Sequence, residues 1–216
     1  KYGLFLYVAF ESNGSIMGLK FLHLHLHGLI RSKDLELGRD SDTGGQTKYV
    51  LELVKSLANS SEVHQVDLVT RLLKDTKIDS CYSEPREFVN PGVKILRFKF
   101  GPHKYLRKEL LWPYLDELIE SLVLHYEKIK NKPDWIHAHY ADAGYVGVRL
   151  SKYLKVPFIF TGHSLGREKQ RKLLDTGLSQ NQIEKFYFMS KRIKAEEESL
   201  KCADVVVTST KQESSF

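Results

Sequence analysis

Apolar positions along the chain follow two alternating periods. Short runs rich in β-branched, leucine and aromatic residues occupy 21–26, 66–70, 93–98, 134–138, 156–161 and 205–208, and each reads as a strand. Helical spacing appears between them: at 47–58, where Val50, Leu51, Val54 and Leu57 share a face, at 109–129, at 144–153, and in the charged stretch 182–201. Pro91-Gly92 marks a turn before the third strand, and 71–90 is polar and reads as loop. Pro113 falls near the start of the long helix, where a missing N–H costs least. Strand–helix alternation of this kind predicts an α/β fold, a doubly wound parallel sheet of the Rossmann-like type.

In open sheets of that type ligands bind beyond the carboxyl ends of the strands. The conspicuous polar segments fall there: 27–46 after the first strand, 101–108 after the third, 139–144 after the fourth and 161–167 after the fifth. They form one rim. Within the first, Asp42-Thr43-Gly44-Gly45-Gln46 leads directly into a helix. Paired glycines let backbone approach a ligand without Cβ interference, and a helix start aims unpaired N–H groups at phosphate or developing negative charge. The pattern is neither the dinucleotide G-x-G-x-x-G nor a P-loop.

His23, His25 and His27 alternate with leucines and so share one face of the first strand. No carboxylate or cysteine joins them at ligand spacing, so they read as hydrogen-bonded core and no metal site is predicted. His27, at the strand end, is the one placed to see substrate. His139 ends the fourth strand, a position suited to hydrogen bonding or charge stabilisation, and Asp142 either meets a ligand or caps the next helix. Thr161-Gly162-His163-Ser164 suits close approach to a polar ligand; it is not a G-x-S-x-G elbow, which argues against serine hydrolysis. Lys104, Arg107 and Lys108, with Arg167, Lys191 and Arg192, make either a phosphate clamp or a solvated basic face. Glu196-Glu197-Glu198 reads as a solvated helix face.

Composition changes this picture little. The 216 residues are 42% hydrophobic and 28% charged, ordinary values for one large soluble domain. The net charge of +6 raises the question of nucleic acid, but the bases are scattered and no binding module is legible, so an anionic small molecule is the expected partner. Cys81 and Cys202 fit no metal or redox spacing and, with no secretory signal, point to a reducing cytoplasm. No apolar run is long enough to cross a bilayer. Met17 looks like a natural start, so 1–16 is expected to be an extension, and Ser214-Ser215-Phe216 is expected to be a non-native ending.

Four motifs occur in order: D-T-G-G-Q at 42–46, K-Y-L-R-K-E-L-L-W-P-Y at 104–114, H-A-H-Y-A-D-A-G at 137–144 and T-G-H-S-L-G at 161–166. With them the chain resembles the sucrose-phosphate synthases over about 19–213, in their acceptor-side, N-terminal domain and in the compact cyanobacterial style. The resemblance implies the N-terminal half of a GT-B retaining glycosyltransferase that passes glucose from UDP-glucose to the 2-hydroxyl of fructose 6-phosphate. It also implies roles. Gly44, Gly45 and Gln46 would lie beside the donor diphosphate and the acceptor sugar. Lys104 and Lys108, with Arg192 and Lys191, would hold the 6-phosphate. His139 would contact the transferred glucose as the catalytic residue, and Tyr140, His163 and Ser164 would line the sugar site.

His27, Arg107, Asp142 and Arg167 are further candidates. No tightly bound cofactor is implied; Mg2+ is compatible with a diphosphate donor, but no motif indicates it. The family's nucleotide-sugar domain is not among these residues, so the chain alone is expected to be inactive. Two other readings stand beside this one: a sucrose synthase or other retaining sugar transferase, and a non-catalytic sugar-phosphate-binding module or inactive gene fragment.

Overall fold

The structure, a computed structural model, describes residues 18–208, so the segments set apart at 1–16 and 214–216 lie outside the described residues. Its strands are β1 (Leu19–Leu24), β2 (Val63–Arg71), β3 (Arg86–Asn90), β4 (Val93–Phe98), β5 (Trp135–His139), β6 (Phe158–Thr161) and β7 (Val205–Val206). Its helices are α1 (Gly45–Leu57), α2 (Leu115–Ile129), α3 (Ala141–Leu154), α4 (Gly166–Asp175), α5 (Gln180–Tyr187) and α6 (Met189–Cys202). The strands form one sheet in the order β3-β4-β2-β1-β5-β6-β7, parallel throughout except for β3 against β4. Without the antiparallel edge strand this is the Rossmann order, and the winding reverses between β1 and β5. The loops after those two strands therefore diverge and leave a crevice.

Alternation along the strands divides the core. Leu22 and Leu24 of β1, with Ile136 and Ala138 of β5, pack beneath α2 and α3 through Leu118, Leu122, Val146 and Leu150. Phe21, Trp135 and Ile159 turn the other way and meet Val50, Leu51 and Val54 of α1. That second face changes character along its length: hydrocarbon at the amino end gives way to imidazole at the carboxyl end. His23 and His137 stand opposite each other in the β1–β5 register, and both are buried.

Three expectations are corrected. The polar stretch 71–90 contains β3, an edge strand held by a hairpin at Pro91-Gly92 and by Glu87, which accepts from Arg97. The long helix begins at Leu115 rather than 109, after two short 3-10 turns at Lys108–Leu110 and Trp112–Tyr114. The expected helix 182–201 is two helices, broken where Phe188 adopts φ 47°; the Glu184 carboxylate accepts from the Ser190 N–H and hydroxyl at the break. Helix α4 was not legible at all, because its ten residues carry almost no apolar repeat.

The buried imidazoles make stability depend on pH. Burial holds His23 down at about 3, and it holds His25, His137 and His139 well below the usual range. All four are neutral when folded and gain protons on unfolding below the ordinary histidine value. Their contribution is complete above about pH 6.5 and is lost progressively as pH falls below it, at about 1.4 kcal/mol per pH unit for each ring. The urea midpoint should be level from pH 8 to 7 and fall steeply between pH 6 and 5. A midpoint flat to pH 5 contradicts neutral burial.

Candidate functional site

Loop 25–44 folds back over the end of β1, and its chemistry explains how. Gly28 holds φ 75°, and a Cβ there would stand 2.3 Å from the Asp42 carbonyl oxygen, so glycine is required. The Thr43 hydroxyl accepts from the Leu29 N–H at 3.0 Å. The Asp40 carboxylate accepts from the N–H groups of Asp42 and Thr43, both at 2.8 Å. Asp42, buried, accepts from the Lys108 backbone N–H at 2.8 Å and from the Lys108 ammonium. Burial pushes the Asp42 carboxyl up, but the bonds to Lys108 outweigh it and hold it below the usual range. The first two residues of D-T-G-G-Q are thus a structural latch.

The glycines behave differently. A Cβ on Gly44 or Gly45 would meet nothing within 4 Å, and neither residue has a positive φ. Protein packing does not demand glycine there, and the space above the start of α1 is open. The Gln46 amide Nε2 donates to His25 Nδ1 at 3.2 Å.

A solvent-open cleft of ≈ 280 Å³ lies beside this loop, lined by Lys108, Glu109, Trp112, Tyr140, Asp142, Lys169, Tyr187 and Arg192. Tyr140 links β5 to α3 with φ 79° and ψ 171°, a backbone region that a side chain rarely enters. Its ring packs edge-on to His27 at 4.8 Å, and the Arg192 guanidinium lies over it at 4.6 Å. Arg192, buried in α6, donates to Glu196 at 2.8 Å and to the Ser164 carbonyl and hydroxyl at 2.8 and 3.0 Å. Glu196 also accepts from the Gly166 N–H at 2.6 Å, and burial raises its carboxyl against the pull of Arg192. The expectation of a solvated Glu196 is therefore corrected: i, i+4 spacing from Arg192 turns it inward, while Glu197 stays out and pairs with Arg167.

Lys169, which the sequence offers only as one more base in the run Arg167-Glu168-Lys169 of the rim, lines the cleft itself. It stands at 4.7 Å over the Tyr187 ring and has no carboxylate within ion-pair range among the described residues. Burial lowers its ammonium, and Lys108 and Arg192 lower it further. Three positive groups thus share the cleft with Glu109 and Asp142, and the Asp142 carboxylate is engaged at 2.8 Å by His27. Asp142 is not the helix cap, since Tyr140 holds that position.

The other predicted residues take different places. Lys104 and Lys191 are exposed and do not line the cleft. Arg107 donates to the Phe186 carbonyl at 3.1 Å, and Arg167 forms its surface pair with Glu197. His139 is 0% exposed and uses both ring nitrogens, one toward His23 at 3.0 Å and one toward His163 at 3.1 Å. It stands behind His163, which is half-buried on the loop after β6 and meets Tyr49 edge-on at 5.2 Å. His139 is thus buried behind His163 in this domain, and its expected contact with the sugar is carried forward to the proposed function. His23, His137 and His139 offer nitrogens within 4.8 Å of one another. That set contains no carboxylate or thiolate, its rings are buried, and His137 is engaged by the Thr161 hydroxyl at 2.8 Å.

Comparison with known proteins places this geometry. Residues 16–215 match the family described as the sucrose synthase first GT-B domain. Sucrose-phosphate synthase 4 of Arabidopsis thaliana is 43% identical over 225 residues, covering 94% of this chain and 21% of its own length. A probable sucrose-phosphate synthase 1 of Craterostigma plantagineum is 45% identical over 218 residues, covering 88% of this chain and 21% of its own. Both are plant proteins, and the chain spans about a fifth of their length. The solved sucrose-phosphate synthase of Thermosynechococcus elongatus superposes with a TM-score of 0.70 at 23% identity, over 92% of this chain and 44% of that one. At that identity the likeness is one of fold.

The two kinds of glycine should separate in experiment. Gly28→Ala is expected to destabilise the chain by about 2 kcal/mol, through strain and the clash with Asp42. Gly45→Ala is expected to leave the thermal midpoint unchanged or slightly raised, since alanine is the better helix former, while weakening any ligand bound over the start of α1. Equal loss of stability in both variants contradicts the open space above Gly45.

Proposed function

Because the chain belongs to the family of the sucrose synthase first GT-B domain, with sucrose-phosphate synthases among its relatives, we propose that it is the acceptor-side domain of a sucrose-phosphate synthase. The whole protein passes glucose from UDP-glucose to the 2-hydroxyl of fructose 6-phosphate with retention at the anomeric carbon, giving sucrose 6-phosphate and UDP. Transfer belongs to that longer protein, in which a second, nucleotide-sugar-binding domain faces this one. This domain alone binds acceptor and does not turn over. Its place is the cytoplasm, in keeping with two free thiols, Cys81 and Cys202, and with the lack of any helix among the described residues long and apolar enough to cross a membrane.

The observation that carries the reading is Lys169, which has no ion-pair partner among the described residues, beside Lys108 and Arg192. Three cations held together repel one another, and a phosphate entering between them relieves that repulsion. Arg192 supplies a planar fork and the lysines supply point charges. Lys104 and Lys191 approach the same phosphate from the rim, at longer range. Gly44, Gly45 and Gln46 leave room for the donor diphosphate at the helix start, where the N–H groups and dipole favour negative charge. His163 and Ser164 line the sugar, and His139, behind His163, is the residue expected to contact the transferred glucose. A retaining transfer of this kind needs no enzyme nucleophile; it relies on holding the reactants and stabilising the departing diphosphate.

The family description favours a second reading, a sucrose synthase whose acceptor is unphosphorylated fructose. Calorimetric titration with fructose 6-phosphate, fructose and UDP-glucose in parallel separates the two. Fructose 6-phosphate is expected to bind and fructose to bind far more weakly. Lys169→Ala should weaken the former by about 1.5–3 kcal/mol, roughly ten- to a hundredfold, as for loss of one charged hydrogen bond. Equal affinity for the two sugars, unchanged in Lys169→Ala, points instead to the sucrose synthase reading.

A further inference from the structure

Lys169 reaches the cleft on a segment that the core hardly holds. Among residues 167–188, which include most of α4 and all of α5, Ile183 alone is buried. Polar ties place the segment instead. At its start the Gly166 N–H donates to Glu196 at 2.6 Å, and a Cβ on Gly166 would stand 2.9 Å from that carboxylate. At its end Phe188 breaks the chain with φ 47°; its N–H donates to the Glu184 carbonyl at 3.0 Å, and the Glu184 carboxylate accepts from Ser190. Arg107, next to Lys108 in the chain, donates to the Phe186 carbonyl at 3.1 Å. These end ties converge on Tyr187, which is flanked by Phe186 and Phe188 and lines the cleft.

A lysine has a strongly hydrated head on a flexible stem that carries about 2 kcal/mol of rotamer entropy. Lys169 has no ion-pair partner among the described residues, and Lys108 and Arg192 repel its ammonium. Under those forces alone it would swing out into water. What faces it is the ring of Tyr187, whose centroid lies 4.7 Å from Nζ. The face of an aromatic ring attracts an ammonium by about 0.5–1 kcal/mol in the open and by about 2 kcal/mol when water is excluded. A carboxylate in that place would neutralise the charge. A ring holds the ammonium and leaves its charge for an incoming anion.

We propose that Tyr187 is a positioning residue whose ring face seats the Lys169 ammonium at the cleft. Arg107 acts through the same ring, since its bond to the Phe186 carbonyl fixes the stretch of chain that bears it. The seating stands on the geometry of this chain; its use, to offer the ammonium to a phosphate, rests on the proposed function.

Proton–carbon correlation spectra of the 216-residue chain with 13C-labelled lysine read the seating without any ligand. Protons above a ring face are shifted upfield. The Hε signals of Lys169, identified by their loss in Lys169→Ala, should therefore stand upfield of those of the exposed lysines. Tyr187→Leu should return them to the ordinary position, and Tyr187→Phe, which keeps the ring, should restore the shift. In calorimetric titration with fructose 6-phosphate, Tyr187→Leu should weaken binding about three- to tenfold and Tyr187→Phe should restore it. In a Lys169→Ala chain the same Tyr187→Leu change should cost nothing further, because the ring acts through the ammonium.

Lys169 Hε signals at the ordinary position in the unaltered chain overturn the proposal, and if Tyr187→Leu does not fold they decide it alone. Equal loss of binding in Tyr187→Phe and Tyr187→Leu also overturns it, since the hydroxyl rather than the ring would then be at work. So does fructose 6-phosphate binding indifferent to Tyr187→Leu, or a full loss from Tyr187→Leu in the Lys169→Ala chain, which would mean that Tyr187 touches the sugar itself. Should fructose 6-phosphate not bind while the upfield shift follows the ring through both variants, the acceptor-domain reading fails and the seating stands.

Discussion

The buried carboxylate of Asp42 is the constraint on which the site depends. It joins the loop after β1 to the short turn before α2, two segments 66 residues apart in sequence, by accepting from both the backbone and the ammonium of Lys108. A carboxylate taken out of water must be paired, and Lys108 answers this one with both its backbone N–H and its ammonium, while the Ser41 hydroxyl donates at 3.3 Å. The pairing fixes where α1 starts, because Thr43 and the open Gly44-Gly45 follow directly. It also fixes where Lys108 stands. Both halves of the crevice are set by one tie across the point where the sheet reverses its winding.

A second tie operates on the opposite wall. Arg192 and Glu196 reach from α6 to the loop after β6, holding Ser164 and the Gly166 N–H, and the guanidinium covers Tyr140. The backbone of Tyr140 is held in an unfavourable region by this packing, by His27 and by the bond from its N–H to the Thr161 carbonyl at 2.9 Å. Strain of this kind persists only where the surroundings over-determine it. The walls are therefore rigid before any ligand arrives, which limits the ordering that binding would require.

Charges in the crevice divide by whether the protein itself answers them. Asp42 and Glu196 meet cationic side chains, and His27 meets Asp142; these serve the fold first. Lys169 has an aromatic ring for a neighbour and two cations nearby, with no ion-pair partner among the described residues, and on the proposed function an anion from outside would answer it. The same test applies to glycine: Gly28 is demanded by the chain, whereas Gly44 and Gly45 are not. Residues whose identity the fold does not need are the ones that point to a ligand.

Much of this was legible in the chain itself. Strand–helix alternation carried the parallel sheet, and 93–98 coincides with β4 because Pro91-Gly92 and the apolar run bound it on both sides. The rim followed from strand polarity, since every connection returns a loop to the same edge. The ordered motifs carried the family. Other features had no local signal. The antiparallel edge β3 alternates too weakly to show, α4 has no apolar face, and the break at Phe188 is a backbone choice invisible in composition. Lys169 read as one base among many until α4 brought it beside Lys108 and Arg192, and Glu196 read as one of three solvated acids until Arg192 turned it inward. His139 read as a strand end suited to hydrogen bonding, and only the loop after β6 shows that His163 is laid over it. Periodicity, turns and motif order are written in neighbouring residues, so the sequence by itself determined the sheet, its rim and the family. Which charges are buried, which are left unanswered and which histidine stands in front depend on residues far apart in sequence, and packing decided them.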